Sequence, residues 1–212
     1  MPGGNVYNTV IDGAISTRPM GSASVTTYED GGTFVAPAGE YVEVGNSGDV
    51  GARMISTTIL PKGATLTTYA DDGRQLSADT TAGIRMTTLL GETPRPTIVG
   101  QGSISVDRPS RVFELMQMLV DFEPGTWTAT HTHGGYDLSM VATGALKLER
   151  VGEIQTLELG QAFVNAPGVF HRVGNESDAF AQATATFLVP QGATLTTVQP
   201  SAVPVVTPQP TP

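Results

Sequence analysis

The pattern of polar and apolar positions predicts strands along most of the chain. Residues 126–133 alternate strictly, with threonine at every even position and four other side chains at the odd ones, namely Trp127, Ala129, His131 and His133. Side chains in a strand point to opposite faces with a period of two, so the two histidines share a face. Same-face neighbours lie roughly 6.5 to 7 Å apart along a strand, a gap that two imidazoles can close by leaning toward one metal ion.

Further strands are expected on both sides of this segment. Residues 111–122 are apolar on both faces, which is typical of a buried helix or of a strand covered on both sides. We favour the strand because the turn at 123–125 leads directly into the histidine segment. Residues 139–150 and 154–159, separated by a short Gly-containing turn, predict a hairpin. Residues 179–189 predict a closing strand.

Composition narrows the class of protein. The chain has 212 residues, 25 glycines, a net charge of −9 and no cysteine. An acidic surface argues against nucleic acid or an anionic membrane as partner, and without cysteine neither disulfides nor thiolate chemistry contribute. No apolar run approaches the roughly 20 residues of a membrane span, and the first residues lack a signal-peptide pattern. We expect a soluble protein, cytoplasmic as written, although the low lysine content and the Thr/Pro-rich end would also suit an exported bacterial protein.

All histidines of the chain lie in two segments. His131 and His133 occupy the alternating segment, and His171 follows the turn at 167–168. A metal bound by the first pair needs a further ligand, for which His171 and Asp137, the carboxylate nearest to the pair, are the candidates. The alternative is that these histidines are hydrogen-bonded residues of a buried core.

Both segments resemble the two sequence motifs of the cupin superfamily. The first motif, G-x5-H-x-H-x3,4-E-x6-G, is matched by Gly125, His131, His133 and Gly144, with Asp137 in place of the glutamate. The second, G-x5-P-x-G-x2-H-x3-N, is matched by Gly160, Gly168, His171 and Asn175, with the proline displaced by one position to Pro167. Agreement at two separate places makes the resemblance specific.

The resemblance implies an all-β fold, the double-stranded β-helix or jelly-roll barrel. It also implies one divalent transition metal (Fe, Mn, Ni, Cu or Zn) bound by His131, His133, His171 and the carboxylate. Asp137 departs from the family pattern because its side chain is one methylene shorter than glutamate. Direct binding, binding through water and no binding all stay open for it.

An internal repeat indicates two such barrels in tandem. Residues 34–68 and 163–197 align without a gap at an offset of 129, and 16 of the 35 pairs are identical. Before residue 34 the offset becomes 131. A repeat of this length indicates a duplicated domain, which in this family is a bicupin.

The first copy lacks the predicted ligands. Val42 stands opposite His171, Pro2 opposite His133 and Val6 opposite Asp137 at these offsets, so the first barrel is expected to be free of metal. The opening strands of the second copy have no equivalent after Met1. Three explanations remain open, namely a misassigned start, strands supplied by residues 71–110, or strands supplied by another subunit.

These patterns divide the chain into four parts. We assign 1–70 to the degenerate first cupin half, 71–110 to a linker with connecting strands, 111–198 to the metal-binding cupin, and 199–212 to a disordered Pro-rich tail. Because an exposed strand edge is normally covered, the edge around residues 5–16 is expected to be paired or packed.

The pocket is expected to include side chains beside the motifs. Trp127 shares the predicted face of the histidines, and Tyr136 is expected near the rim of the barrel. On the closing strand the alanine face is assigned to packing between barrels, which leaves Gln182 and Thr184 for the pocket.

The resemblance leaves the reaction open, since cupins include dioxygenases, isomerases, decarboxylases and non-catalytic binding proteins. The leading hypothesis is an oxidoreductase of the quercetin-dioxygenase kind acting on a small organic molecule, with Asp137 as a weak ligand or catalytic base. One alternative is a protein that binds or senses a metal or small ligand without turnover. Another is a metal-dependent isomerase or lyase, which would need a cationic group in the pocket. Cupins commonly dimerise, so the oligomeric state stays open.

Overall fold

The computed structural model describes residues 1–46, 48–61, 63–68, 75–77 and 112–199, and for 75–77 it describes the backbone alone. These residues form antiparallel strands and no helix, which confirms the predicted all-β class. The described part of the chain accordingly contains no helix that is long and apolar enough to cross a membrane. The predicted linker, apart from 75–77, and the tail after Gln199 lie outside the described residues.

The first unit, residues 1–68, contains two three-stranded sheets and one strand of a separate two-stranded sheet. Its strands, together with the short β8 that pairs with β7, are β1 (Val6–Asp12), β2 (Ile15–Pro19), β3 (Thr26–Tyr28), β4 (Thr33–Ala36), β5 (Val42–Gly45), β6 (Arg53–Thr58), β7 (Thr65–Thr68) and β8 (Gln75–Ser77). One sheet has the order β4-β1-β6 and the other β3-β2-β5. Both β1 and β2 are paired on each side, so the prediction that the edge around residues 5–16 is paired is confirmed.

The second unit, residues 112–199, contains two larger sheets. Its strands are β9 (Phe113–Phe122), β10 (His131–His133), β11 (Tyr136–Thr143), β12 (Ala145–Arg150), β13 (Glu153–Glu158), β14 (Ala162–Asn165), β15 (His171–Gly174), β16 (Ala181–Pro190) and β17 (Thr196–Val198). The sheet orders are β14-β11-β16-β9 and β13-β12-β15-β10-β17. The strand predicted over 111–122, the closing strand and the β12–β13 hairpin are confirmed, while the run 139–150 divides at Gly144, which has a positive φ of 70°.

The sequence repeat is a repeat of structure. Strands β1 to β6 of the first unit have the same pairing as β11 to β16 of the second, without counterparts of β9 and β10 among the described residues. One further pairing recurs at equivalent positions. Pro2 forms a β-bridge with Thr67 in the first unit, and His133 pairs with Thr196 in the second. The two tandem jelly-roll barrels predicted from the sequence are therefore present, the first with fewer strands among the described residues.

The two cores are built from equivalent positions. In the second unit apolar residues on the inner faces of both sheets form one buried cluster, and a smaller cluster fills the first unit. The equivalent pairs are Val10 and Val141, Ile15 and Leu146, Phe34 and Phe163, and Val44 and Val173. Alternate inward-facing residues on facing sheets produce such a core, and it fixes the strands that carry the candidate site.

Polar side chains connect the two units. Gln117 on β9 accepts a hydrogen bond from Thr9 at 2.9 Å and donates one to Thr57 at 2.8 Å. The Thr57 and Thr186 hydroxyls, which are equivalent positions of the repeat, lie 3.3 Å apart. Strand β9 therefore has one face in its own barrel, while Gln117 on its other face contacts the first unit.

Candidate metal centre

Two neighbouring strands bring the histidines together. His131 and His133 lie at the two ends of β10, and His171 begins β15, where it is the direct register partner of His131. The chain enters β15 through Gly168, whose positive φ of 78° permits the turn and whose amide donates to the His133 carbonyl at 2.9 Å. The expectation that His131 and His133 share a face agrees with this geometry.

The three imidazoles converge on one point inside the second barrel. Their ring centroids lie 4.7 Å apart for His131 and His133, 4.4 Å for His131 and His171, and 5.1 Å for His133 and His171. One nitrogen from each ring can be chosen so that all three lie within 4.8 Å of one another. Nitrogens that share an ion at about 2.1 Å lie roughly 3 to 4 Å apart, so a metal fits after a closure of about one ångström.

Backbone carbonyls select the tautomer of each ring. The Nδ1 atoms donate to carbonyl oxygens, at 2.7 Å from His131 to Ala129, 3.1 Å from His133 to Leu195 and 3.0 Å from His171 to Val169. A carbonyl oxygen can only accept, so the proton of each neutral ring is on Nδ1 and the lone pair is on Nε2. Metal-binding histidines are usually held in this way, by a hydrogen bond from the ring nitrogen that does not bind the metal.

Burial keeps two of these rings neutral. His133 and His171 expose 5% and 2% of their surface. Desolvation on burial is the largest cause that lowers the pKa of both, and the neighbouring carboxylate of Asp137 opposes it. A neutral imidazole is the form that binds a metal, so the donor set fits a divalent transition metal.

A buried carboxylate lies beside the histidines. Asp137 is 3% exposed, and its Oδ2 lies 3.7 Å from His171 Nε2. Its Oδ1 accepts from the Ser139 hydroxyl at 2.5 Å, and its Oδ2 accepts from the Asn165 amide at 2.8 Å. Among the described residues, the group of converging ligand atoms contains the three histidines and not Asp137.

An arginine stands behind this carboxylate. Arg150 is the register partner of His171 on β12, and its Nε donates to Asn165 Oδ1 at 2.9 Å. Its Nη2 donates to the Val164 carbonyl at 2.8 Å. The inner face of the second barrel thus carries a cationic group, which is linked to Asp137 through the hydrogen bonds of Asn165.

The remaining wall of the site is apolar. Phe187 on β16 is the register partner of Asp137, and its ring lies 4.7 Å from that of His133. Met116 and Leu195 pack against the same small cluster. An apolar wall excludes water and strengthens the interaction of a charged ligand with the polar groups opposite.

The structure corrects the expected place of Trp127. Trp127 pairs with Gly174, whereas His131 pairs with His171. His131 lies four residues after Trp127, whereas His171 lies only three residues before Gly174. The first segment thus contains one extra residue, which reverses the face from which its side chains emerge. Trp127 packs on the outer surface of β15, where its ring lies 4.5 Å from the Arg172 guanidinium.

The other three expected pocket residues also lie on outer faces. Gln182 donates to Asp121 at 2.8 Å, and the Thr184 hydroxyl donates to the Met140 carbonyl at 3.5 Å. The alanines and Phe187 form the inner face of β16, where Ala181 and Ala183 lie in the core. Tyr136 precedes the inward-facing Asp137 on β11 and so faces outward. The assignment of the alanine face to packing between barrels was wrong.

Three polar residues of the site were missed in the sequence reasoning. Arg150 alternates with the core residues Leu146 and Leu148, and Asn165 alternates with Phe163. Ser139 lies two positions from Asp137 on the same strand face. Period-two alternation would have placed them all inside the barrel.

A protein-family model matches the part of the chain that contains the candidate metal centre. Residues 118–187 match the model described as "Cupin domain". The chain carries a cupin domain. The segment covered by the match includes all three histidines and Asp137.

Solved structures show partial similarity to this cupin, whereas no curated protein matches the chain. An oxalate oxidase in complex with the substrate analogue glycolate is 23% identical over 34% of this chain and 41% of its own, with a TM-score of 0.32. A cupin-like protein from Thermotoga maritima is 22% identical over 42% and 66%, with a TM-score of 0.38. The DMSP lyase DddQ from Ruegeria pomeroyi is 16% identical over 40% and 43%, with a TM-score of 0.37. The cupin therefore spans less than half of the oxidase and lyase chains, and its own site has to supply the argument for a reaction.

Proposed function

We propose that this cupin is a metal-dependent enzyme that acts on a small organic molecule, as an oxidoreductase of the dioxygenase type. The observation that carries the proposal is the convergence of three imidazoles, each with its Nδ1 bound to a backbone carbonyl. His131, His133 and His171 would hold one Fe, Mn, Ni, Cu or Zn ion. When bound, that ion would supply Lewis-acid activation of a substrate oxygen and, if redox-active, access to dioxygen.

The residues around the histidines have separate roles in this proposal. Three protein ligands leave coordination positions open, as catalytic sites require. Asp137 is close enough to accept a proton from a bound enol or similar group, while Phe187 and Met116 keep water from that side. A dioxygenase places both atoms of dioxygen in the organic substrate, so the substrate is oxidised and no external reductant is consumed.

A lyase or isomerase of an oxygen-rich molecule is the second candidate. It is favoured by Arg150, because such a reaction benefits from a cation on the inner face beside His171. The same histidines would hold the metal in either reaction, and Asp137 would be the base that removes the substrate proton in both.

Oxygen consumption separates these candidates. The metal-free protein would be loaded in turn with Fe(II), Mn(II), Ni(II), Cu(II) and Zn(II) and mixed with enols, flavonols, keto acids and sugars, in air and under nitrogen. The proposal predicts that one redox-active ion gives substrate loss and equimolar oxygen uptake, both abolished under nitrogen and in His133→Ala. Substrate loss that persists under nitrogen would support the lyase or isomerase, and binding without turnover would contradict both.

A further inference from the structure

The carboxylate of Asp137 is held on both of its oxygens. The Ser139 hydroxyl donates to Oδ1 and the Asn165 amide donates to Oδ2, and all three side chains are at most 5% exposed. Hydrogen bonds to a buried charged group are stronger than those between neutral groups. A shift of the carboxylate therefore has to break or carry along two buried partners.

Asn165 is itself fixed from behind. Its Oδ1 accepts from Arg150 Nε, and Arg150 Nη2 is bound to the backbone carbonyl of Val164. Nη1 of the same guanidinium lies 3.7 Å from the carboxylate of Glu153. The planar guanidinium donates in a fixed geometry, so Asn165 cannot rotate toward the histidines without losing that bond.

The length of Asp137 adds to this restraint. The nearest imidazole nitrogen, His171 Nε2, is 3.7 Å from Oδ2, and the group of ligand atoms that converges among the described residues omits the carboxylate. A glutamate, the residue of the family motif, would extend one methylene farther toward the ion. Asp137 would have to leave the Asn165 bond to gain that distance.

We propose that Arg150, Asn165 and Ser139 are positioning residues that hold Asp137 outside the coordination sphere of a metal bound by the three histidines. This inference rests on the metal site of the proposed function. It leaves the ion with three protein ligands and keeps the carboxylate as a proton acceptor next to the open positions. A carboxylate bound to the ion would occupy one of those positions and neutralise part of its charge.

Cobalt(II) tests the proposal directly, because its visible spectrum reports the number and type of ligands. The metal-free chain would be titrated with Co(II), and each variant checked for its β-sheet signal by circular dichroism. We expect Asp137→Asn to keep the wild-type spectrum and to bind Co(II) within about threefold of wild type. His133→Ala should bind at least about 100-fold more weakly, since it removes a ligand. Asp121→Asn, which removes an outer-face carboxylate of β9, is the matched control.

Two further variants release the carboxylate. Asp137→Glu extends it toward the ion, and Asn165→Leu removes the amide that holds it back, so each should shift the Co(II) spectrum as an oxygen ligand is added. The shift of Asn165→Leu should disappear in Asn165→Leu/Asp137→Asn. Asp137→Glu keeps the test decisive if the leucine variant does not fold.

The outcomes distinguish this inference from the proposed function. Wild-type protein that binds no Co(II) would contradict the metal site, and the inference with it. One bound Co(II) per chain together with a changed spectrum and at least tenfold weaker binding in Asp137→Asn would show that Asp137 is a ligand. That result would overturn the inference alone.

Discussion

His131 and His171 are register partners on neighbouring antiparallel strands, and their ring centroids lie 4.4 Å apart. The two residues come from the two motif segments, so the pairing of β10 with β15 joins those segments at the proposed metal site. His133, at the other end of β10, completes the group from the same face. The site is therefore built on regular strands rather than on loops, which favours a fixed ligand geometry.

The stability of the metal-free protein should fall as the pH decreases through the range below neutrality. Burial lowers the pKa of His133 and His171 in the folded state, whereas unfolding restores the ordinary value of about 6.5. Between the two pKa values the unfolded chain binds more protons, so the free energy of unfolding rises with pH there. The contribution of the two histidines is present above about 6.5 and is lost as the pH falls through the folded-state pKa values. Urea denaturation at a series of pH values measures it.

A variant isolates the histidine part of this dependence. His133→Gln/His171→Gln cannot take up these protons, and its stability should depend less on pH by up to about 1.4 kcal/mol per pH unit for each histidine. Carboxylates remote from the two rings are common to both proteins, so their contribution cancels in the comparison. Equal slopes for wild type and variant between pH 5 and 7 would show that the two rings are not buried in neutral form.

Gly174 should tolerate alanine poorly because Trp127 occupies the space above it. A Cβ at Gly174 would run into the Trp127 ring. We expect Gly174→Ala to lower the free energy of unfolding by about 1 to 3 kcal/mol, the usual cost of overpacking. In a Trp127→Ala background the same change should cost less, since the clash is gone. Equal costs in both backgrounds would place the ring elsewhere.

Gln117 should contribute to the association of the two units. Gln117→Leu keeps the approximate volume but removes the hydrogen bonds that Gln117 makes with the hydroxyls of Thr9 and Thr57. Loss of hydrogen bonds in a partly buried interface costs about 1 to 3 kcal/mol, which chemical denaturation can measure. Gln182→Leu is the matched control, because its bond to Asp121 is exposed and its loss should cost below about 0.5 kcal/mol. A neutral Gln117→Leu would contradict the contact.

The fold and the convergence of the three histidines could be predicted from the sequence, because both leave a regular spacing of residues. The repeat at offsets of 129 and 131 reflects two barrels with equivalent cores, in which Val10 and Val141 are each fully buried. Strict alternation placed His131 and His133 on one face because β10 is a regular strand over those residues.

The pocket walls could not be predicted in the same way. One extra residue between Trp127 and His131 reverses the face of Trp127, and no sequence pattern marks it. Gln182 was misplaced because the alanines of β16 were assigned to the outside, whereas they fill the barrel around larger inward residues such as Phe187. Alternation shows which residues share a face of a strand. Whether that face points into the barrel depends on pairing with distant strands, which alternation does not predict.

Metal content tests the central claim most directly. Wild-type protein, Asp121→Asn, His133→Ala and His171→Ala would be stripped with a chelator, loaded with one divalent transition metal, desalted and analysed by inductively coupled plasma mass spectrometry. We expect about one ion per chain in wild type and Asp121→Asn, and below about 0.1 in the two histidine variants, because each removes one of three ligands. A folded wild-type protein that retains no metal, or histidine variants that retain as much as wild type, would contradict a metal site at these three residues.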